Sequence, residues 1–196
     1  MNEMIKMVVV TTIICAFSAV LLGGLKDGLK DRIEAQEDLY IRGPAVAAVL
    51  KDSPNNPLED SKTITIGGEQ VKIYPWIEEG KIRRLALERS GAGGYGGDVI
   101  VMVALDMEKG SVFGIEVTQH KETPGVGSRA MEASFLSRYL KLAMGEEISL
   151  KSDGGKIDAL SGATRSSTAI TDAVNQAVKL VSSNRDEILM QLKEGQ

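Results

Sequence analysis

Residues 7–25 read MVVVTTIICAFSAVLLGGL, nineteen positions without a charge, bounded by Lys6 and Lys26. As a helix this stretch is about 28 Å long, close to the hydrocarbon thickness of a bilayer. Whatever else the chain forms is therefore expected to fold beside a membrane-seeking end. Two readings of the stretch compete. A cleavable signal peptide has a shorter apolar core and a small-x-small cleavage site, and residues 18–24 leave room for one. The residues ahead of Cys15 (Thr12, Ile13, Ile14) do not form a lipoprotein processing site. The length favours an uncleaved, single-pass anchor in lipid. Lys6 and the amino terminus precede the span, and Lys26, Lys30, Arg32 and Arg42 follow it. Counting them puts the C-terminal part in the cytoplasm. The short leading tail and the diluting Asp27, Asp31 and Glu34 leave orientation open on charge alone.

The remaining sequence is that of an ordinary packed domain. The net charge is −4 and the basic residues are scattered, which argues against nucleic acid as a partner, since phosphate neutralisation needs a basic face. Cys15 is the only cysteine. A disulfide within the chain, a thiolate iron–sulfur site and a CxxC redox pair are thereby excluded. His120 is the only histidine, so no metal site of zinc type is expected and the residue is read as structural or solvent-facing. No CxxCH haem motif occurs, the methionines are core filling, and Trp76 is read as core or loop packing.

Residues 26–50 continue as an amphipathic helix, broken near Gly43-Pro44, and 52–61 form a loop. TITI (63–66) and VKIY (71–74) read as short strands around Gly67-Gly68, RRLALER (83–89) as an alternating strand, and DVIVMVALD (98–106) as a buried one. GAGGYGG (91–97) is a glycine-rich loop, and SVFGIEVTQH (111–120) is a further strand after a short turn. Short connections between adjacent strands favour an antiparallel sheet. Met131, Phe135, Leu136, Tyr139, Leu140 and Ala143 recur at helical spacing, 145–157 is irregular, Ile170 to Val181 form one apolar helix face, and a short polar helix is expected over 184–194. The class is α+β.

The segment DALSGATRSSTAITDAV, 158–174, leads into the helix with an unusual density of small hydroxyl residues. One reading makes Ser161, Thr164 or Ser166 its N-cap. The other notes that Gly162 and Ala163 let a bulky group approach, and that a helix N-terminus receives phosphate through free N–H groups and the dipole.

Asp158-Ala159-Leu160-Ser161-Gly162-Ala163-Thr164 resembles the D-x-x-[S/T]-G-A-T flavinylation motif of FMN-binding domains in the Rnf and sodium-pumping NADH:quinone oxidoreductase families. Gly94-Tyr95-Gly96-Gly97-Asp98 and His120-Lys121-Glu122-Thr123-Pro124-Gly125-Val126-Gly127 are similar to two further segments of that domain, in the same order. Val126 stands where the family has leucine. The likeness covers roughly residues 4–182. The length and single anchor look most like the G subunit of the Rnf ion-translocating ferredoxin:NAD+ oxidoreductase.

The resemblance implies a single N-terminal transmembrane helix plus an FMN-binding domain with a mainly antiparallel sheet flanked by helices. It divides the chain into an anchor (1–30), a helical stalk and linker (31–60) and a covalent-FMN-binding domain (61–196). It implies one FMN per chain, linked by a phosphoester to Thr164, with Ser161, Gly162 and Ala163 shaping the phosphate turn and Asp158 read by the flavin transferase. Glu122, Thr123, Pro124, Gly125 and Val126, with Tyr95 and Gly96, are implied to line the flavin. No catalytic residue is implied, and no complete reaction is expected from this chain alone. The implied partners are the other subunits of the Rnf complex, including iron–sulfur and second flavinylated subunits. The implied location is the cytoplasmic membrane, with the FMN domain on its outer side. The competing classes are a flavinylated subunit of the sodium-pumping quinone reductase or another exported FMN carrier, and a non-redox anchored binding domain whose Thr164 is only a cap.

Overall fold

The computed structural model of the chain describes residues 2–193, which divide between Tyr40 and Ile41 into two compact units. The first unit is dominated by helix α1, Glu3–Glu37, none of whose residues is buried. Its exposed side chains include Val8, Val9, Val10, Ile13, Ile14, Phe17, Val20, Leu21 and Leu22. A helix that is apolar all round and buries nothing in protein has the character of a membrane-spanning element. A π-helical turn, Asp38–Arg42, spans the junction between the units.

The second unit is built on a five-stranded antiparallel meander. Strands β1 (Lys62–Ile66), β2 (Glu69–Glu78), β3 (Lys81–Gly91), β4 (Val99–Asp106) and β5 (Ser111–Gln119) lie in that spatial order. Helix α2, Gly43–Val49, covers one face through Ala45, Val46 and Val49. With Leu50 these meet Tyr74, Trp76, Ala86, Met102 and Ala104. The opposite face presents Ile73, Leu85, Leu87, Val101, Val103 and Leu105 to the long helix α4, Thr164–Ser183. Strand β4 is thus covered on both faces, which is why its sequence is a continuous apolar run rather than an alternation. Trp76 belongs to the α2-side core, and the Arg84 guanidinium lies 3.7 Å from the centroids of both Trp76 and Phe113.

Helix α4 follows its sequence period closely. Ala169, Ile170, Ala173, Val174, Ala177, Val178 and Val181 are all buried, each large aliphatic side chain contributing about 1.5–3 kcal/mol. The last helix, α5 (Arg185–Lys193), inserts Ile188 and Leu192 into the same core and reaches β1, where Gln191 Nε2 donates to the Thr65 carbonyl.

Two helix expectations are corrected. The break expected near Gly43-Pro44 falls instead at the preceding π turn, and Pro44 lies in the first turn of α2. A proline there has no N–H to give to a carbonyl of the preceding turn. Residues 41–50 lie within the second unit, because the apolar side of α2 closes over the sheet. The helix expected over 131–143 is fragmented. A 3₁₀ turn at Gly127–Met131, the single-turn helix α3 (Ala133–Leu136) and a second 3₁₀ turn at Ser137–Tyr139 take its place. Its C-terminal third pairs with the sheet instead: Val112 N–H donates to the Leu142 carbonyl, Lys141 N–H to Val112 and Met144 N–H to Gly110. Bonds to the otherwise open edge of β5 outweigh the local helical period there.

Candidate functional site

The turn into α4 is set by local chemistry. Ala163 N–H donates to the Leu160 carbonyl at 2.9 Å, and Gly162 at the third position has a φ of +80°. A turn that requires positive φ at this position selects glycine. Ala163, 5% exposed, occupies the N-cap position, and no side-chain hydrogen bond caps the helix. The reading of Ser161, Thr164 or Ser166 as the cap is therefore corrected.

The hydroxyl cluster divides by environment. Ser167 Oγ accepts from Leu160 N–H at 3.0 Å and donates to the Ala163 carbonyl at 2.9 Å, locking the turn to the helix. Thr168 donates to the Thr164 carbonyl at 3.0 Å. Thr171 donates to the Ser167 carbonyl and shares a 2.7 Å bond with the buried Tyr139 hydroxyl. Ser166 donates to Glu122 Oε2 at 2.7 Å. Ser161 and Thr164 are exposed, and neither hydroxyl has a hydrogen-bond partner among the described residues. Thr164, the first residue of α4, thus presents a free hydroxyl at an uncapped helix N-terminus whose first turn holds no acid. Such a terminus suits phosphate.

The other two motif segments converge on this helix end. Glu122 Oε1 accepts from Gly96 N–H at 3.1 Å while its Oε2 receives the Ser166 hydroxyl. Arg165 Nε donates to the Gly93 carbonyl, and Asp172 accepts from Ala92 N–H. His120 is exposed and its Nδ1 accepts from Glu122 N–H at 3.2 Å. Around the helix end Gly96, Thr123, Pro124, Gly125 and Val126 are exposed, as is Tyr95 at 70%. Glu122 differs from its expected neighbours in the flavin-lining set: at 5% exposure its side chain points into the protein. The sequence reading named Ser166 only as a cap candidate, not as the partner of Glu122, and missed Ser167, for which the adjacent pair of serines in the first turn was the available signal. Asp158 is exposed, its Oδ2 accepting from Lys151 Nζ at 2.7 Å and its carbonyl from Arg138. The exposed motif residues thus lie on an open surface around the start of α4.

Residues 94–179, which begin in the glycine loop and end in α4, match the FMN-binding domain family. Over 193 aligned residues the chain is 31% identical to the G subunit of the ion-translocating oxidoreductase complex of Haemophilus influenzae (strain 86-028NP), with 92% of each chain covered. Among solved structures it is similar to NqrC of Shewanella oneidensis, with a TM-score of 0.50 and 21% identity over 74% of this chain and 73% of that one. It is also similar to the C subunit of the Na(+)-translocating NADH-quinone reductase from Parabacteroides distasonis, with a TM-score of 0.54 and 16% identity over 80% and 94%. At those identities the two structures establish a shared α+β fold.

Proposed function

The chain belongs to the family of G subunits of the ion-translocating oxidoreductase complex, and from that premise we propose that it carries electrons through FMN esterified to Thr164, as one member of a membrane-bound Rnf-type complex. The observation that carries this reading is the Thr164 hydroxyl itself, exposed and unpartnered among the described residues at the uncapped start of a 20-residue helix. The residues present fit a phosphorylated cofactor: N–H groups and dipole of α4, a glycine turn that keeps bulk away, and a first turn without acid.

FMN, when bound, supplies one- and two-electron redox chemistry. The protein's part is attachment, position and electrostatics. Thr164 Oγ1 holds the phosphorus, and Ser161, Gly162 and Ala163 shape the approach to it. Thr123, Pro124, Gly125 and Val126, with Tyr95 and Gly96, offer exposed backbone and one ring to the flavin. Asp158, also exposed, is accessible for recognition by a flavin transferase. The motif surface is open, so a cofactor held only by contacts there would exchange with solvent. An ester bond removes that loss, which is the physical reason for a covalent link on the outer face of a membrane.

We place the domain on that outer face, with residues 7–25 as the single span in the cytoplasmic membrane. The span holds no Asp, Glu, Lys, Arg or His, so it offers no carboxylate or basic side chain for an ion path; ion movement belongs to other subunits. Electrons arrive from and leave to those subunits, including iron–sulfur and second flavinylated members.

The test is intact mass and peptide mapping of the full chain expressed with a flavin transferase. The peptide containing Thr164 is expected to gain the mass of one FMN less one water and to keep flavin fluorescence after denaturation. A bare peptide from its own membranes would overturn the reading.

A further inference from the structure

Two acidic side chains are buried among the described residues of the second unit, Asp106 and Glu122. Asp106 Oδ1 accepts the N–H groups of Glu108 and Lys109 in the β4–β5 turn, and its Oδ2 lies 3.6 Å from Arg84 Nε. Glu122 is held differently. Its two carboxylate oxygens receive a neutral amide, from Gly96, and a neutral hydroxyl, from Ser166. Neither partner is a cation, so the geometry of the two acceptor oxygens, not an ion pair, sets this contact.

What the carboxylate offers is two acceptors facing donors on two segments far apart in sequence. The surrounding glycines are shaped to it. A Cβ on Gly127 would stand 2.0 Å from Glu122 Oε2, and one on Gly94 would stand 2.5 Å from Oε1. Glycines of both motif loops thus make room for this side chain. Ser166 lies two residues beyond Thr164, in the first turn of α4.

We propose that Glu122 is the positioning residue of the attachment site: its carboxylate clasps the glycine-rich loop to the first turn of α4 and fixes where the Thr164 hydroxyl is presented to the flavin transferase. This rests on Thr164 being the FMN acceptor. Glu122 does not itself touch the reacting atoms; it acts through Ser166 and Gly96. Glu122→Gln keeps an acceptor for Gly96, and the Ser166 hydroxyl can turn to accept from the new amide. Glu122→Ala loses both ties, and Gly127→Ala displaces an intact carboxylate.

The experiment measures covalent FMN incorporation into the full-length chain by the transferase, per folded chain and over a range of chain concentrations. Glu122→Ala and Gly127→Ala are expected to lower the maximal rate about tenfold, with the half-saturating concentration nearly unchanged. Glu122→Gln is expected to restore the rate to within about threefold of the original. Amide exchange in the unloaded chain is expected to accelerate over 93–98 and 164–168 in the first two variants only. Should Glu122→Ala fail to fold, Ser166→Ala with Gly127→Ala carries the comparison. A folded variant lacking the clasp that loads at the original maximal rate overturns the proposal, as does unchanged exchange at both segments. If the original chain takes no flavin while exchange reveals the clasp, the reading of Thr164 has failed and the positioning role falls with it.

Discussion

Thr164 and Tyr139 mark the two ends of what a hydroxyl does in this protein. Thr164 is exposed and makes no hydrogen bond with the described residues, so Thr164→Val is expected to abolish covalent flavin while changing unfolding free energy by no more than about 0.5 kcal/mol. Mass analysis and denaturant titration check the two halves separately. Tyr139 is fully buried, and burial raises its phenol above its ordinary value of 10.0, with the Thr171 hydrogen bond and the nearby Arg138 charge opposing the shift. The folded state therefore holds this proton at a pH where the unfolded chain releases it. The contribution is complete below about pH 10 and declines as pH rises beyond that. Tyr139→Phe is expected to cost about 1 kcal/mol at neutral pH. It should also remove part of the alkaline fall in stability, as unfolding titrations at a series of pH values would show.

At the scale of elements, the close approach of α4 to β3 holds the motif helix in place. A Cβ at Gly91 would stand 1.7 Å from the Ala169 carbonyl oxygen, a backbone atom that cannot swing aside. Gly91→Ala is expected to destabilise the unit by about 1–3 kcal/mol through a shift of the helix. Because Ala169 lies in the N-terminal part of α4, close after Thr164, the same change should disturb the attachment end of the helix, giving a loss of flavin loading that tracks the loss in melting temperature. The stretch 131–143 behaves in the complementary way. Its apolar residues recur at helical spacing, and Phe135, Leu136 and Tyr139 are indeed buried. Yet the chain leaves the helix at Leu140, because residues 141–144 bond to Gly110 and Val112 at the start of β5.

At the scale of the whole molecule, the division at Tyr40/Ile41 predicts that residues 41–196 expressed alone remain in the soluble fraction with a cooperative melt, whereas the full chain sediments with membranes. The proposed outward orientation predicts that Ser161→Cys, in a chain carrying Cys15→Ser, is labelled by a membrane-impermeant thiol reagent in intact cells. Protection until lysis would place the domain on the other side. The apolar span, the meander, the long α4 and the motif positions were all legible in the sequence. Each is written in local periodicity or in contiguous residues, and neighbouring strands joined by short turns have few ways to pair. Only the tertiary structure decided which hydroxyls are free, where the Met131–Ala143 pattern stops being a helix, and that Glu122 faces inward. Several of these outcomes depend on partners tens of residues away: Glu122 meets Ser166 across 44 positions, and no local pattern records which donor a buried carboxylate will find.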